Sequence, residues 1–95
     1  MLSIDDFEIN IKKYDTNKNH VIVNLLICKE LEIRGFIVRY SKTKYSPINP
    51  VWIVSPPCVK TRKQVYFWIF NLKNLNLWKE LQKEIIRQVK DYTDL

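Results

Sequence analysis

One segment of this chain repeats its apolar residues at helical spacing, and it comes last. With Lys79 at zero and 100° per residue, Leu77, Trp78, Leu81, Ile85, Val89 and Tyr92 fall within an arc of roughly 160–280°. Lys79, Lys83, Arg87 and Lys90 fall within roughly 0–80°, with Glu80, Glu84 and Asp91 between the two stripes. Asn74 stands where an N-cap belongs. An apolar stripe of this kind needs a surface to bury against, and the residues before it must supply that surface.

Those residues read as strands. Residues 7–12 alternate apolar and polar with period two, the pattern of a half-buried strand. Asp15-Thr16-Asn17-Lys18-Asn19 is a turn by composition. Residues 20–28 are rich in β-branched side chains, with Asn24 the polar interruption, and read as a central strand in a hairpin with the first. Lys29-Glu30 is a tight connection to a strand over residues 31–40. There the spacing sets Leu31, Ile33 and Ile37 on one face and Phe36, Val38 and Tyr40 on the other. Gly35, the chain's one glycine, predicts a bulge or a close backbone approach inside that strand.

Residues 41–50 form a loop with two prolines, Lys42 and Lys44. The run Val51-Trp52-Ile53-Val54 is wholly apolar, a strand buried on both faces or in a dimer contact, and Pro56-Pro57 stops it. Residues 58–64 are a strongly basic loop, and residues 65–70 the last strand. The expected fold is therefore α+β: an antiparallel sheet of about five strands followed by one C-terminal amphipathic helix. At 95 residues it is a single domain, small enough that a dimer would add useful buried surface.

Charge is segregated along the chain. The net charge is +6, yet no acidic residue lies between Glu32 and Glu80. That span carries nine cations: Arg34, Arg39, Lys42, Lys44, Lys60, Arg62, Lys63, Lys73 and Lys79. Its natural partners are polyanions: nucleic acid, anionic lipid or an acidic protein. The alternative is a soluble surface that happens to be basic.

Catalytic and metal chemistry find little to work with. His20 is the only histidine and opens a strand, as many surface side chains do. Asp5 and Asp6 are adjacent, so on a strand they face opposite ways and cannot share a proton. One glycine does not make a phosphate-cradling loop, and no His, Cys or carboxylate group has metal-ligand spacing. No enzyme activity, metal or cofactor is expected. Cys28 and Cys58 read as reduced thiols. The N-terminus lacks a basic segment followed by an apolar run, and no apolar stretch reaches membrane length, so the expected location is the cytoplasm.

Lys60-Thr61-Arg62-Lys63 is the sharpest feature. Three cations and a hydroxyl in four residues match consecutive phosphates, with Arg able to contact one bidentately. Lys42 and Lys44 in the preceding loop would enlarge the patch if residues 51–54 and 65–70 are neighbouring strands. Lys83 and Arg87 on the helix are further candidates, although Glu80 and Glu84 stand at pairing distance. Trp52, Tyr66, Phe67 and Trp68 offer rings that could stack on bases or fill a core.

From Ile33 to about Val89 the chain resembles the stage V sporulation protein G family, the septation regulators. The shared features are Ile33-Arg34-Gly35-Phe36-Ile37-Val38, then Val51-Trp52-Ile53-Val54-Ser55-Pro56-Pro57, the basic loop through Lys63, the following strand, and Leu77-Trp78-Lys79-Glu80-Leu81-Gln82-Lys83-Glu84-Ile85-Ile86. The resemblance implies a small dimeric DNA-binding regulator, in some cases also binding RNA. It maps the family's basic segment onto Lys60, Thr61, Arg62 and Lys63. Two functions are thus expected: a homodimeric nucleic-acid-binding regulator, duplex DNA foremost, or a protein–protein interaction module for an acidic partner.

Overall fold

The fold is that of a computed structural model describing residues 2–42, 47–60, 66–68 and 72–93. A 3-10 turn, Ile4–Asp6, leads into β1 (Phe7–Asp15), β2 (His20–Ile27), β3 (Leu31–Ser41) and β4 (Val51–Ser55). These four make one antiparallel sheet in the order β1-β2-β3-β4. β5 (Cys58–Lys60) and β6 (Tyr66–Trp68) pair with each other in a separate two-stranded ribbon, and α1 (Leu75–Thr93) closes the chain.

The class is α+β as expected, with a sheet of four strands rather than about five. The difference starts at Pro56-Pro57. Neither residue has an N–H, so β4 cannot extend its ladder along β3 beyond the Ile37–Ser55 pair. Pairing restarts at Cys58, inside the segment expected to be loop, and the expected fifth strand pairs there as Cys58–Trp68, Val59–Phe67 and Lys60–Tyr66. Residues 51–54 and 65–70 are therefore not neighbouring strands where they are described. Asp5 and Asp6 also differ from expectation. They lie on the 3-10 turn, where an Asp6 carboxylate oxygen accepts the Ser3 N–H at 2.8 Å.

α1 begins as its sequence predicts: the Leu77 N–H donates to Asn74 Oδ1 at 3.1 Å. It buries Leu77, Leu81, Ile85 and Val89. Each such side chain withdrawn from water contributes about 2 kcal/mol. Trp78 packs at the edge of the core, whereas Tyr92 is 58% exposed, so the apolar stripe is buried only as far as Val89. The sheet side of the core is Val21, Val23 and Leu25 on β2 with Phe36 and Val38 on β3, all fully buried. Trp52 and Tyr40 face each other on this same side, their ring centroids 4.8 Å apart, and Trp52 packs against the core.

Two bulges decide which side chains enter that core. On β1 the register shifts between Ile11 and Lys13, so Lys12 is the extra residue. The shift turns Tyr14 toward the core and Lys13 away from it, opposite Ile22. On β3 the register shifts where Arg34 and Gly35 oppose Asn24. Gly35 has φ +93°, which L side chains rarely adopt. Its N–H donates to Asn24 Oδ1 at 3.2 Å, which explains the buried polar residue in the middle of the central strand. The bulge also corrects the strict alternation read from sequence. Leu31 and Ile33, paired with Ile27 and Leu25, share a face with Phe36, Val38 and Tyr40, and Ile37 lies on the other.

The β2–β3 turn is closed by the Glu30 N–H donating to the Ile27 carbonyl at 3.0 Å. Its central residues, Cys28 and Lys29, have φ of 54° and 59°, the signs of a type I′ hairpin turn.

Replacing Asn24 with Leu should destabilise the protein by about 1–3 kcal/mol, because the Gly35 N–H loses its acceptor. Leu81→Ala should cost about 2–5 kcal/mol through the cavity it leaves. Urea unfolding followed by circular dichroism measures both. An Asn24→Leu midpoint equal to the parent would refute the bulge-capping role.

Candidate functional site

α1 packs on one face of the sheet, and the opposite face carries a different set of side chains. Cross-strand pairing gives its contents, since directly opposed residues share a face. One row is Lys13–Ile22–Ile37–Ser55 and the next is Asp15–His20–Arg39–Ile53. Lys13, Ile22 and Ile37 are exposed, and His20 and Arg39 are half-buried. A cavity of about 160 Å³ opens here, lined by Lys13, Asp15, Lys18, His20, Ile22 and Ile37.

The turn between β1 and β2 holds Lys18 in place. Asp15 Oδ1 accepts the N–H groups of Asn17 at 3.1 Å and Lys18 at 3.4 Å. Asn19 sits at φ 53°, a conformation asparagine tolerates, and its carbonyl accepts the Tyr40 N–H at 3.3 Å. That last bond brings the turn beside the end of β3, where Lys42 follows Ser41. Lys13, Lys18, Arg39 and Lys42 thus converge at one end of the sheet from two separate stretches of chain.

The candidate residues expected from sequence are dispersed. Lys42 is exposed at this basic end. Lys60 closes β5, its backbone paired with Tyr66. Lys44, Thr61, Arg62 and Lys63 lie outside the described residues, and so do the side chains of Tyr66, Phe67 and Trp68. Lys83 and Arg87 are exposed on α1, which packs on the opposite face of the sheet, so they do not join the Lys42 end. Trp52 faces the core rather than the face opposite α1.

Ion pairing further sorts the cations. Arg87 is engaged by Glu84 at 2.5 Å and by Asp91 at 3.4 Å. Hydrogen bonds from Arg87 and Gln88 hold the Glu84 carboxyl down to about 2, and Glu84 in turn raises Arg87. Arg34 is paired with Glu32 at 2.5 Å, which lowers the carboxyl and raises the guanidinium. Arg39 is the described arginine with no carboxylate partner, and its Nε is shielded from solvent without an acceptor among the described residues. Lys13, Lys18, Lys42 and Lys83 also have no ion-pair partner among the described residues.

Sequence reasoning missed Lys13, Lys18 and His20. The two lysines fall outside the acid-free stretch, and the bulge at Lys12 hides which face Lys13 takes. The hairpin turn was a usable signal, since it sets Asp15 opposite His20. Among the described residues, no group of three or more His, Cys, Asp or Glu side chains could hold a metal ion. Among them too, no helix is long and apolar enough to cross a membrane.

The Glu84 carboxyl is depressed in the folded state, so its contribution to stability is present above about pH 4.5 and is lost as the pH falls toward 2. An NMR titration of the Glu84 side chain should give a midpoint near 2, and Arg87→Gln should move it up toward 4.5. A midpoint unaffected by that substitution would mean that Arg87 is free for other ligands.

Comparison of the chain with protein-family models, with curated proteins and with solved structures returns no match.

Proposed function

We propose that this chain is a small, non-enzymatic, cytoplasmic regulatory protein that binds DNA, and RNA as a second ligand, through phosphate contacts. The observation that carries the reading is the stretch from Glu32 to Glu80, with nine cations and no acid. Among its described members, Lys42, Lys73 and Lys79 are exposed and have no carboxylate partner among the described residues. Lys60, Thr61, Arg62 and Lys63 make the main phosphate contacts, with Lys42 and Lys44 in support. Lys83 adds a contact on the far side of the molecule. Arg87 contributes least, because Glu84 and Asp91 already occupy its guanidinium. The resemblance to the stage V sporulation protein G family supports the same reading.

The protein acts as a homodimer in this proposal. β4 is a sheet edge with β3 as its one described neighbour, and Val51 is 37% exposed on it. Unsatisfied strand edges and exposed apolar side chains favour self-association. The same free edge favours a second reading, an interaction module that accepts a strand from an acidic partner protein.

Fluorescence anisotropy with a labelled duplex and a labelled single strand, over a range of salt, tests the primary reading. We expect micromolar or tighter binding at low salt, with log affinity falling linearly in log salt. Lys60→Ala with Arg62→Ala should weaken binding across all sequences and reduce the salt slope by about 1 per cation removed. Unchanged affinity in that double variant would remove the ribbon loop from the site. Absence of binding to both probes at low salt would favour the protein-partner reading. Light scattering at micromolar concentration should return twice the monomer mass.

A further inference from the structure

We infer that one end of the sheet face opposite α1, around His20 and Arg39, is a second nucleic-acid contact, a seat for one backbone phosphate built by Lys13, Lys18, His20 and Arg39. The inference rests on the nucleic-acid reading and joins to Arg39 three residues that lie outside the acid-free stretch, Lys13, Lys18 and His20.

The first argument is convergence. Lys13 comes from β1, Lys18 from the following turn, His20 from β2 and Arg39 from β3. Strand register and the Tyr40–Asn19 hydrogen bond bring them to one end of one face, and Lys42 stands beside them. The second argument is polarity along that face. Its far end carries Glu8 and Glu32, opposite Leu26, and the one arginine there, Arg34, is already paired with Glu32. At the basic end, Asp15 is the acid present, and its Oδ1 is held by two turn N–H groups.

The third argument is the state of Arg39. Arg34 and Arg87 have carboxylate partners, and Arg39 has none among the described residues. Its Nε is shielded from solvent with no acceptor among those residues. With no carboxylate to neutralise it, the guanidinium charge as a whole favours an arriving anionic oxygen. The fourth argument is the surround. Ile22 and Ile37 line the cavity with Lys13, Asp15, Lys18 and His20, and Arg39 flanks it as the cross-strand partner of His20. Apolar walls lower the local dielectric and strengthen the attraction between the cations and a phosphate. A sugar ring next to the phosphate also has apolar surface to rest on.

The test uses the full chain with the same labelled duplex and single strand. Three proteins are compared with the parent: Lys13→Gln with Lys18→Gln, Arg39→Gln, and the ribbon-loop variant Lys60→Ala with Arg62→Ala. Lys13 and Lys18 are exposed, so their double variant folds even where Arg39→Gln does not. The lysine double variant should bind about tenfold more weakly at low salt, with a salt slope smaller by about 2. Arg39→Gln, where folded, should lose a similar factor.

Parent-like affinity and slope in the lysine double variant, with the ribbon-loop variant impaired, would overturn this inference and leave the proposed function standing. Loss of binding in the parent itself would overturn both. Equal displacement of parent and lysine double variant by inorganic phosphate would show that the seat takes no part in anion binding.

Discussion

The packing of α1 on the middle of the sheet is the interaction on which the other features depend. Leu81, Ile85 and Val89 are fully buried against a floor of Val21, Val23, Leu25, Phe36 and Val38. Among the described residues, this helix-on-sheet contact holds the buried apolar cluster, and a chain of 95 residues has little apolar surface to spare for a second. It also sets an asymmetry. Among the described residues, one helix packs on one face of a four-stranded sheet, and the second face has no helix on it. The placement of the basic groups follows from that asymmetry. Lys83 and Arg87 ride on the outside of the helix, while Lys13, His20 and Arg39 lie on the face the helix does not reach.

The sheet meets that contact through irregularities in its strands. A strict period of two would send Lys13 into the core and leave Tyr14 outside it. The extra residue Lys12 reverses this, and the bulge at Arg34-Gly35 does the same for Phe36 and Val38. Each bulge needs local chemistry. Gly35 accepts a backbone conformation closed to other residues, and Asn24 takes the N–H that the broken ladder would otherwise leave unpaired. Pro56-Pro57 acts in a related way, ending one ladder so that the next begins in a separate ribbon.

Electrostatics divides the cations more finely than a net charge of +6 suggests. Two described arginines are neutralised by neighbours on their own element, Arg34 by Glu32 and Arg87 by Glu84 and Asp91. Such exposed pairs add little stability, but they occupy guanidinium groups that a phosphate would need. Arg39 and the lysines around it are not occupied in this way among the described residues. A proposed polyanion surface is better drawn from the unpaired groups than from the sum of all charges.

Much of the fold was legible in the sequence. The helix and its Asn74 cap, the first three strands, the irregularity at Gly35 and the α+β class follow from local periodicity and turn chemistry, which nearby residues determine. The face of each strand was less legible. A bulge shifts every later side chain by one position, and its only local sign was one glycine on β3 and none on β1. The pairing of β5 with β6 also depends on which backbone groups meet after Pro57, a long-range matter. The acid-free stretch pointed to a polyanion without any structure. The gathering of Lys13, Lys18, His20 and Arg39 was a tertiary decision, because strand register and the Asn19–Tyr40 bond bring together residues that no sequence window contains.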